Sequence, residues 1–136
     1  MTRVLLPVDG IVTSRRGKRW GRVHQGIDIS VPPGTPVHAP LPWNKALYFY
    51  EKDGGGHVLV LTYSVPLDDG RVVPLRMRFM HLRTRPTVKA SGRKHDIIAH
   101  SGNSGHSTGP HLHFDIAILT KKGPLFIDPL SILPKV

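Results

Sequence analysis

Cysteine is absent from the 136-residue chain. That excludes a disulfide framework, a thiolate metal site and a cysteine nucleophile. Any metal site must be built from histidine and carboxylate. Glutamate is nearly absent as well: Glu51 stands alone beside eight aspartates, in an unrelated turn, so no His-Glu-X-X-His protease motif exists. No run of eighteen apolar residues occurs, which excludes a helical membrane span. The N-terminal stretch MTRVLLPVDG lacks a long apolar core and a small-residue cleavage site, so no secretory signal is expected. Aromatic residues make up only 7%, too few for the stacking arrays of single-strand nucleic-acid binders. Clean helical periodicity is missing from every segment of ten or more residues. Fourteen glycines and thirteen prolines punctuate the chain too densely for a helical bundle.

What is abundant is positive charge and histidine. Nineteen Lys and Arg against nine acids give a net charge of +10, and there are nine histidines. The charge favours a polyanionic partner, whether nucleic acid, anionic lipid or an acidic cell-surface polymer. Strand signals dominate the rest. Strands are expected at residues 11–13, 26–31, 47–50, 57–63, 75–82, 87–90, 97–99 and 111–119, with a short apolar run at 4–6. Residues 14–22 read as a basic loop, 53–56 as a tight glycine loop, Asp69-Gly70 as a hairpin turn, and 101–110 as a glycine-serine loop. The tail FIDPLSILPKV reads as proline-capped. Many short strands at close spacing predict an all-β chain, one domain over residues 1–136, as an antiparallel sandwich or small barrel.

On a strand over 111–119, alternation puts His111, His113 and Asp115 on one face and Leu112, Phe114 and Ile116 on the other. Two imidazoles on one face lie roughly 7 Å apart at the backbone, close enough to serve one centre. Taken alone, a solvent-facing polar stripe explains them better. His24 and Asp28, four apart across a loop-to-strand junction, can converge on one ion, although a structural salt link is the simpler reading. His81 ends a strand on the face of Met77 and Phe79, where a lone histidine reads as a packed core residue.

Together these residues sit in three blocks. His24-Gln25-Gly26-Ile27-Asp28-Ile29, followed by Pro33-Gly34-Thr35-Pro36-Val37-His38-Ala39, resembles the opening motif of the M23 (lysostaphin-like, or LytM) zinc metallopeptidases. Met80-His81-Leu82 resembles their central histidine motif. Residues 102–116, which contain Ser107-Thr108-Gly109-Pro110-His111-Leu112-His113-Phe114, resemble their closing motif almost residue for residue. The resemblance runs from about Gly10 to Ile116. It implies an antiparallel sheet with a substrate groove over a zinc site. It further implies one zinc held by His24, Asp28 and His113, with His81 and His111 as catalytic histidines that do not bind it. Three protein ligands leave the fourth tetrahedral position for water, as a catalytic zinc requires. With no glutamate base available, the two histidines would carry the protons.

The remaining polar residues have weaker claims. Gly102, Gly105 and Gly109 read as loop glycines, and Asn103 as a turn or groove-wall residue. His106 reads as a variable loop residue that could touch substrate, and His38, His57, His95 and His100 as surface positions. His57 or Tyr63 could line the groove. Asp115 could support a ligand histidine, or could be a solvated or ion-paired surface aspartate. Arg15, Arg16, Lys18, Arg19 and Arg22 form a basic stretch, either a solvated loop or an attraction for an anionic wall. Two departures from the M23 pattern bear on substrate preference: Arg16 stands before Gly17 where an aromatic residue is frequent, and residues 64–78 are long and proline-bearing.

The resemblance implies a peptidoglycan endopeptidase acting on peptide crosslinks of the cell wall. D-Ala–meso-diaminopimelate bonds of Gram-negative wall are expected, with glycine bridges as the alternative. Compactness looks more like a bacteriophage lysin or tail-associated lytic protein than a secreted bacteriocin. Synthesis in the cytoplasm, action at the wall, a monomer, and charge attraction to anionic wall or lipopolysaccharide are expected with it. Two rivals remain: a non-catalytic M23-like module that binds wall or activates a partner, and a basic nucleic-acid-binding β-barrel.

Overall fold

The structure, a computed structural model, describes residues 6–19 and 22–132. Eleven strands run in chain order: β1 (Ile11–Ser14), β2 (Gly17–Arg19), β3 (Arg22–His24), β4 (Ile27–Ser30), β5 (Pro36–His38), β6 (Lys45–Glu51), β7 (Gly56–Pro66), β8 (Val72–Leu82), β9 (Ile97–His100), β10 (Leu112–Thr120) and β11 (Gly123–Ile127). A single 3-10 turn, Pro129–Ile132, follows. No helix among the described residues is long and apolar enough to cross a membrane.

Seven strands make one open antiparallel sheet in the order β1-β4-β10-β8-β7-β6, with β11 added against β10. Two ribbons, β2-β3 and β5-β9, stand apart from it. The all-β antiparallel class matches the sequence reading; the arrangement is neither a sandwich of two matched sheets nor a closed barrel. The long β7–β8 hairpin forms its backbone, and the Asp69-Gly70 turn sits where the dipeptide predicts it. There Gly70 adopts φ +86° and the Asp69 carboxylate accepts from the Arg71 N–H at 3.0 Å.

One face of the sheet is the core face. Ile27 and Ile29 of β4, Leu59 and Leu61 of β7, Met77 and Phe79 of β8, and Leu112, Phe114 and Ile116 of β10 are fully buried on it. They pack against Val37, Ile98 and Ala99 of the β5-β9 ribbon and against Leu41 and Trp43. Phe79 and Phe114, paired across β8 and β10, stack at 5.3 Å. Each such large apolar side chain contributes about 1.5–3 kcal/mol by leaving water. Tyr63, partly buried, packs against this cluster.

Three local expectations are corrected. Residues 14–22 are not only a loop: β2 and β3 form a small hairpin there, in which Gly17 pairs with His24. Short basic strands carry no apolar alternation, so periodicity could not reveal them. Residues 87–90 are not a strand; between Pro86 and Gly92 they pair with no strand, and the Lys89 carbonyl accepts from the Trp43 indole N–H instead. The proline-capped tail begins inside a strand: Phe126 and Ile127 end β11, which pairs with β10 from Gly123 onward. The apolar run at 4–6 lies mostly outside the described residues.

β10 is shared along one edge. Its first residues, Leu112 to Phe114, pair with β4, and Ile116 to Thr120 pair with β11. Asp115 sits at the junction. Gly26 makes this close approach possible: a Cβ there would stand 2.2 Å from the Phe114 carbonyl oxygen and 2.7 Å from the Asp115 Cβ.

Candidate metal centre and its histidines

The face of β10 opposite the core carries His113 and Asp115, and the register sets Asp28 of β4 directly beside His113. His24 reaches the same place from the end of β3. Three atoms meet there. His24 Nε2 lies 3.3 Å from His113 Nδ1 and 3.4 Å from Asp28 Oδ1, and His113 Nδ1 lies 3.1 Å from Asp28 Oδ1. Ligands at tetrahedral angles and zinc bond lengths of about 2.0–2.1 Å would stand about 3.3–3.4 Å apart. The triangle is therefore the right size for one zinc. Among the described residues these three form the one group of histidine and carboxylate atoms close enough to share an ion.

The tautomers fit as well. His24 Nδ1 lies 3.0 Å from the Arg15 carbonyl, which can only accept, so that nitrogen carries the hydrogen and Nε2 keeps its lone pair. His113 Nε2 donates to Asp115 Oδ2 at 2.9 Å, which turns Nδ1 toward the centre. Asp115 is itself held by Arg78, whose Nε and Nη2 donate to the two carboxylate oxygens at 2.8 Å each. Asp115 is fully buried. Of its two sequence readings, the supporting partner of a histidine is the one its contacts match, with an ion pair behind it. Backing a ligand histidine with a carboxylate fixes its ring and raises its basicity.

Charge follows geometry. Burial pushes the His113 imidazole down, but its bonds to Asp115 and Asp28 outweigh that and raise its pKa. Burial pushes both aspartates up; His113 overrides this at Asp28, and His113 with Arg78 at Asp115, so both carboxyls lie below the ordinary value. Both are ionised at neutral pH.

His111 stands beside the triangle, with Nε2 3.7 Å from Asp28 Oδ1. Its Nδ1 donates to the Gly109 carbonyl at 2.8 Å, which leaves Nε2 turned toward Asp28. His81 is the surprise. Strict alternation along β8 would put it on the core face with Met77 and Phe79. Its backbone instead adopts φ +64°, a left-handed conformation rare for a residue with a side chain. The twist sends Leu82 into the core and swings the His81 ring to 4.6 Å from that of His111.

Three segments clasp His81 in that conformation. Its N–H donates to the Gly55 carbonyl at 2.6 Å and its Nδ1 to the Ser104 carbonyl at 2.7 Å. The Ser104 hydroxyl donates to the Leu82 carbonyl at 2.5 Å and accepts from the His57 N–H at 3.1 Å. Gly56, at φ +66°, lets the glycine loop come this close, since a Cβ there would lie 2.4 Å from the Ser104 backbone. Burial is the main reason that His81's pKa falls below the free-histidine value; the Ser104 carbonyl opposes it and His111 adds to it. His81 is therefore neutral at pH 7, with Nε2 able to accept a proton.

Beside His111 and Asp28 opens a cavity of about 330 Å³ whose lining includes the hydroxyl-bearing Thr13, Ser14, Ser30 and Thr108. His38, His95, His100, His106 and Asn103 are exposed. The His106 N–H ties its loop to the Gly54 carbonyl at 2.8 Å. The His57 ring stacks with that of Tyr48, whose hydroxyl lies 2.6 Å from Nδ1, and meets Tyr50 at a tilt. Arg15 enters through its carbonyl and not its charge. The side chains of Lys18, Arg19 and Arg22 lie outside the described residues. Sequence reasoning missed Arg78 and Ser104. A buried aspartate's need for a cation could have pointed to Arg78, but nothing in the sequence marks which serine of 101–107 braces a histidine.

The profile of Peptidase family M23 matches residues 22–125. An uncharacterized metalloprotease of Haemophilus influenzae is 38% identical over 123 residues, covering 88% of this chain and 23% of that protein. The DD-carboxypeptidase/endopeptidase Mpg of Neisseria meningitidis is 30% identical over 98 residues, covering 71% of this chain and 20% of that protein. A zinc-containing peptidase of Vibrio cholerae superimposes with a TM-score of 0.78 at 27% identity, over 98% of this chain and 41% of that one. The chain spans about a fifth of the length of these two curated relatives.

Proposed function

The chain belongs to Peptidase family M23, and on that premise we propose that it is a zinc-dependent endopeptidase that hydrolyses peptide crosslinks of bacterial peptidoglycan, in phage or bacterial lysis. The observation that carries the reading is the convergence of His24 Nε2, Asp28 Oδ1 and His113 Nδ1 within 3.1–3.4 Å, with two non-ligand histidines on one side. The relative named for DD-carboxypeptidase and endopeptidase activity supports a wall-peptide substrate.

In this reading His24, Asp28 and His113 hold the zinc. Bound there, zinc supplies Lewis acidity to a peptide carbonyl and lowers the pKa of water toward neutrality. The chain's own groups do the rest. His81 and His111 present Nε2 to take a proton from the attacking water. Once protonated, either can donate to the developing oxyanion or return the proton to the leaving amine. Asp115 and Arg78 hold His113 in place throughout. The hydroxyl-lined cavity offers hydrogen bonds to a polar peptide backbone. Positive charge on the protein, +10 overall, attracts it to anionic wall or lipopolysaccharide.

The bond proposed is D-Ala–meso-diaminopimelate in directly crosslinked wall. Digestion of Gram-negative and Gram-positive sacculi followed by mass spectrometry of the muropeptides tests it. Loss of crosslinked dimers with a matching gain of monomers is expected. Cut glycine bridges would redirect the specificity, and intact walls under full zinc loading would refute the enzyme reading. His81→Ala and His111→Ala should each keep zinc and lose turnover.

A further inference from the structure

The cavity beside the metal triangle lies on the β1–β4 side of β10, and the strands explain its lining. Ile27 and Ile29 are fully buried in the core, so Asp28 and Ser30, which alternate with them, face the metal side. On β1 the register slips: Val12 pairs with Ile29, but Ser14 pairs with Asp28. Thr13 is the extra residue of that bulge. A bulge re-aims the side chains around it, and here Thr13 and Ser14, though consecutive, both line the cavity. The facing wall is Thr108-Gly109-Pro110, which leads into His111. The Ser107 hydroxyl donates to the Gly109 carbonyl at 2.9 Å and holds the turn of that wall.

Four hydroxyls surround this space, those of Thr13, Ser14, Ser30 and Thr108. Ser30 and Thr108 are exposed, and their hydroxyls bond to no other described residue. The titratable groups at the cavity are Asp28 and His111, both parts of the centre itself, and no lysine or arginine lines it among the described residues. Hydroxyls donate and accept, so they match the N–H and C=O groups of a peptide. They offer an acid no full positive charge. A carboxylate placed here would lose water without gaining a cation, a loss that a neutral side chain avoids. The metal position is where the scissile carbonyl must sit, so it does not serve as that cation. Walls on two sides also suit a slender residue better than a branch point.

The two residues joined by the proposed D-Ala–meso-diaminopimelate bond differ in this respect. D-Alanine supplies the carbonyl and carries only a methyl group. Diaminopimelate supplies the nitrogen, is a branch point of the wall, and keeps a carboxylate on the carbon next to that nitrogen. We propose that the cavity is the acyl-side subsite: Thr13, Ser14, Ser30 and Thr108 receive the D-alanine that supplies the carbonyl. The amine-side stem then leaves the centre the other way, across β10 toward β8, its neighbour opposite β4. The inference rests on the endopeptidase reading and fixes the direction in which the substrate crosses that site.

A charge placed on either wall tests the direction. Ser30→Lys and Thr108→Lys each bring a cation to the cavity, and both positions are exposed, so the fold is kept. Three crosslinked dimers are compared at equal zinc content: the D-Ala–diaminopimelate form, one with D-aspartate in place of that D-alanine, and one with the diaminopimelate carboxyl amidated. The parent protein should cleave the D-aspartate dimer with a kcat/KM about tenfold lower than the D-alanine dimer. In each lysine variant that gap should shrink about three- to fivefold, the effect of an ion pair at an exposed site. The ratio between amidated and free diaminopimelate should stay as it was. Calorimetric binding of the three dimers to the His81→Ala protein, with and without Ser30→Lys, should give the same ranking. The reverse pattern, in which lysine alters the discrimination at diaminopimelate and leaves D-aspartate alone, puts the amine side in the cavity and overturns the proposal. So does a parent protein that takes D-aspartate as readily as D-alanine, or a gap that neither lysine changes. Cleavage of none of the dimers overturns the endopeptidase reading instead, and the binding series then decides the subsite alone.

Discussion

Replacing Asp115 tests whether the protein's own scaffold sets the metal affinity. Three N–H groups converge on this carboxylate: Arg78 Nε on Oδ1, and Arg78 Nη2 and His113 Nε2 on Oδ2, all at 2.8–2.9 Å. In Asp115→Asn the amide oxygen can replace only one of the two positions. At the Oδ2 position it keeps the His113 bond but opposes the amide NH2 to Arg78 Nε, donor against donor. At the Oδ1 position it loses His113 altogether. The first arrangement leaves a neutral, weaker brace on His113, and about a tenfold loss of zinc affinity is expected, or about 1.4 kcal/mol. Asp115→Ala removes the brace entirely, and about a hundredfold loss is expected. The metal-free protein should lose about 2–3 kcal/mol in either variant. That is below the range for breaking a fully buried ion pair, because the Arg78 side chain keeps 23% exposure. Zinc competition against a chelator of known affinity reads the first quantity, and urea unfolding in excess chelator reads the second. Zinc affinities of both variants within twofold of the parent would refute the reasoning, whatever the unfolding data showed.

Three further outcomes follow from particular contacts. Ser104→Ala removes the hydroxyl that ties Leu82 and His57 around His81; kcat should fall about tenfold with zinc content unchanged, Ser104→Thr should recover most of it, and a normal kcat in the alanine variant would remove Ser104 from the clasp. Gly26→Ala places a Cβ 2.2 Å from the Phe114 carbonyl, so a loss of about 3 kcal/mol, or roughly 10 °C in melting temperature, is expected, and an unchanged melting curve would contradict the close approach of β4 to β10. Because burial lowers the pKa of His81, this base stays unprotonated further into acid than a free histidine, so the acid limb of kcat/KM in zinc-saturated protein should fall below pH 6.5; a limb above that value would count against His81 as the base. The same shift has a stability sign. The unfolded chain binds the proton more readily, so His81 makes folding less favourable as pH drops below about 6.5.

The central strands of the main sheet were legible because each has one core face. Ile27 and Ile29 alternate with Asp28 and Ser30, and Leu112, Phe114 and Ile116 alternate with His113 and Asp115, so a period of two marks both the strand and its buried side. The β2-β3 hairpin had no such mark, because Gly17, Lys18 and Arg19 supply no apolar residue to alternate. β11 was obscured for a related reason: its order comes from pairing with β10, a long-range contact that leaves little local trace. The spacing of His24 and Asp28 allowed one centre without requiring it, and the three motif blocks tied the pair to His113 only through resemblance. Nothing local announced that His81 leaves its strand's alternation. That reversal depends on Gly55 and Ser104, which lie 26 and 23 positions away in sequence and meet His81 only in the folded chain.

The reversal also explains how a histidine-rich site keeps its members distinct. His24, His81 and His111 each give Nδ1–H to a backbone carbonyl, those of Arg15, Ser104 and Gly109, and each presents Nε2. His113 is the exception: its Nε2–H goes to the Asp115 carboxylate, so it presents Nδ1. Backbone carbonyls fix a ring's orientation but add no full charge, whereas a carboxylate makes the opposite nitrogen a stronger donor to a cation. The one histidine with an anionic brace is in the middle of the proposed ligand triangle, 3.1 Å from Asp28 and 3.3 Å from His24. The two histidines outside it have their Nδ1 atoms held by neutral groups, the Ser104 carbonyl for His81 and the Gly109 carbonyl and Ser107 hydroxyl for His111. Electrostatic backing, more than position along the strand, therefore separates His113 from His111, although the two share one short His-Leu-His motif.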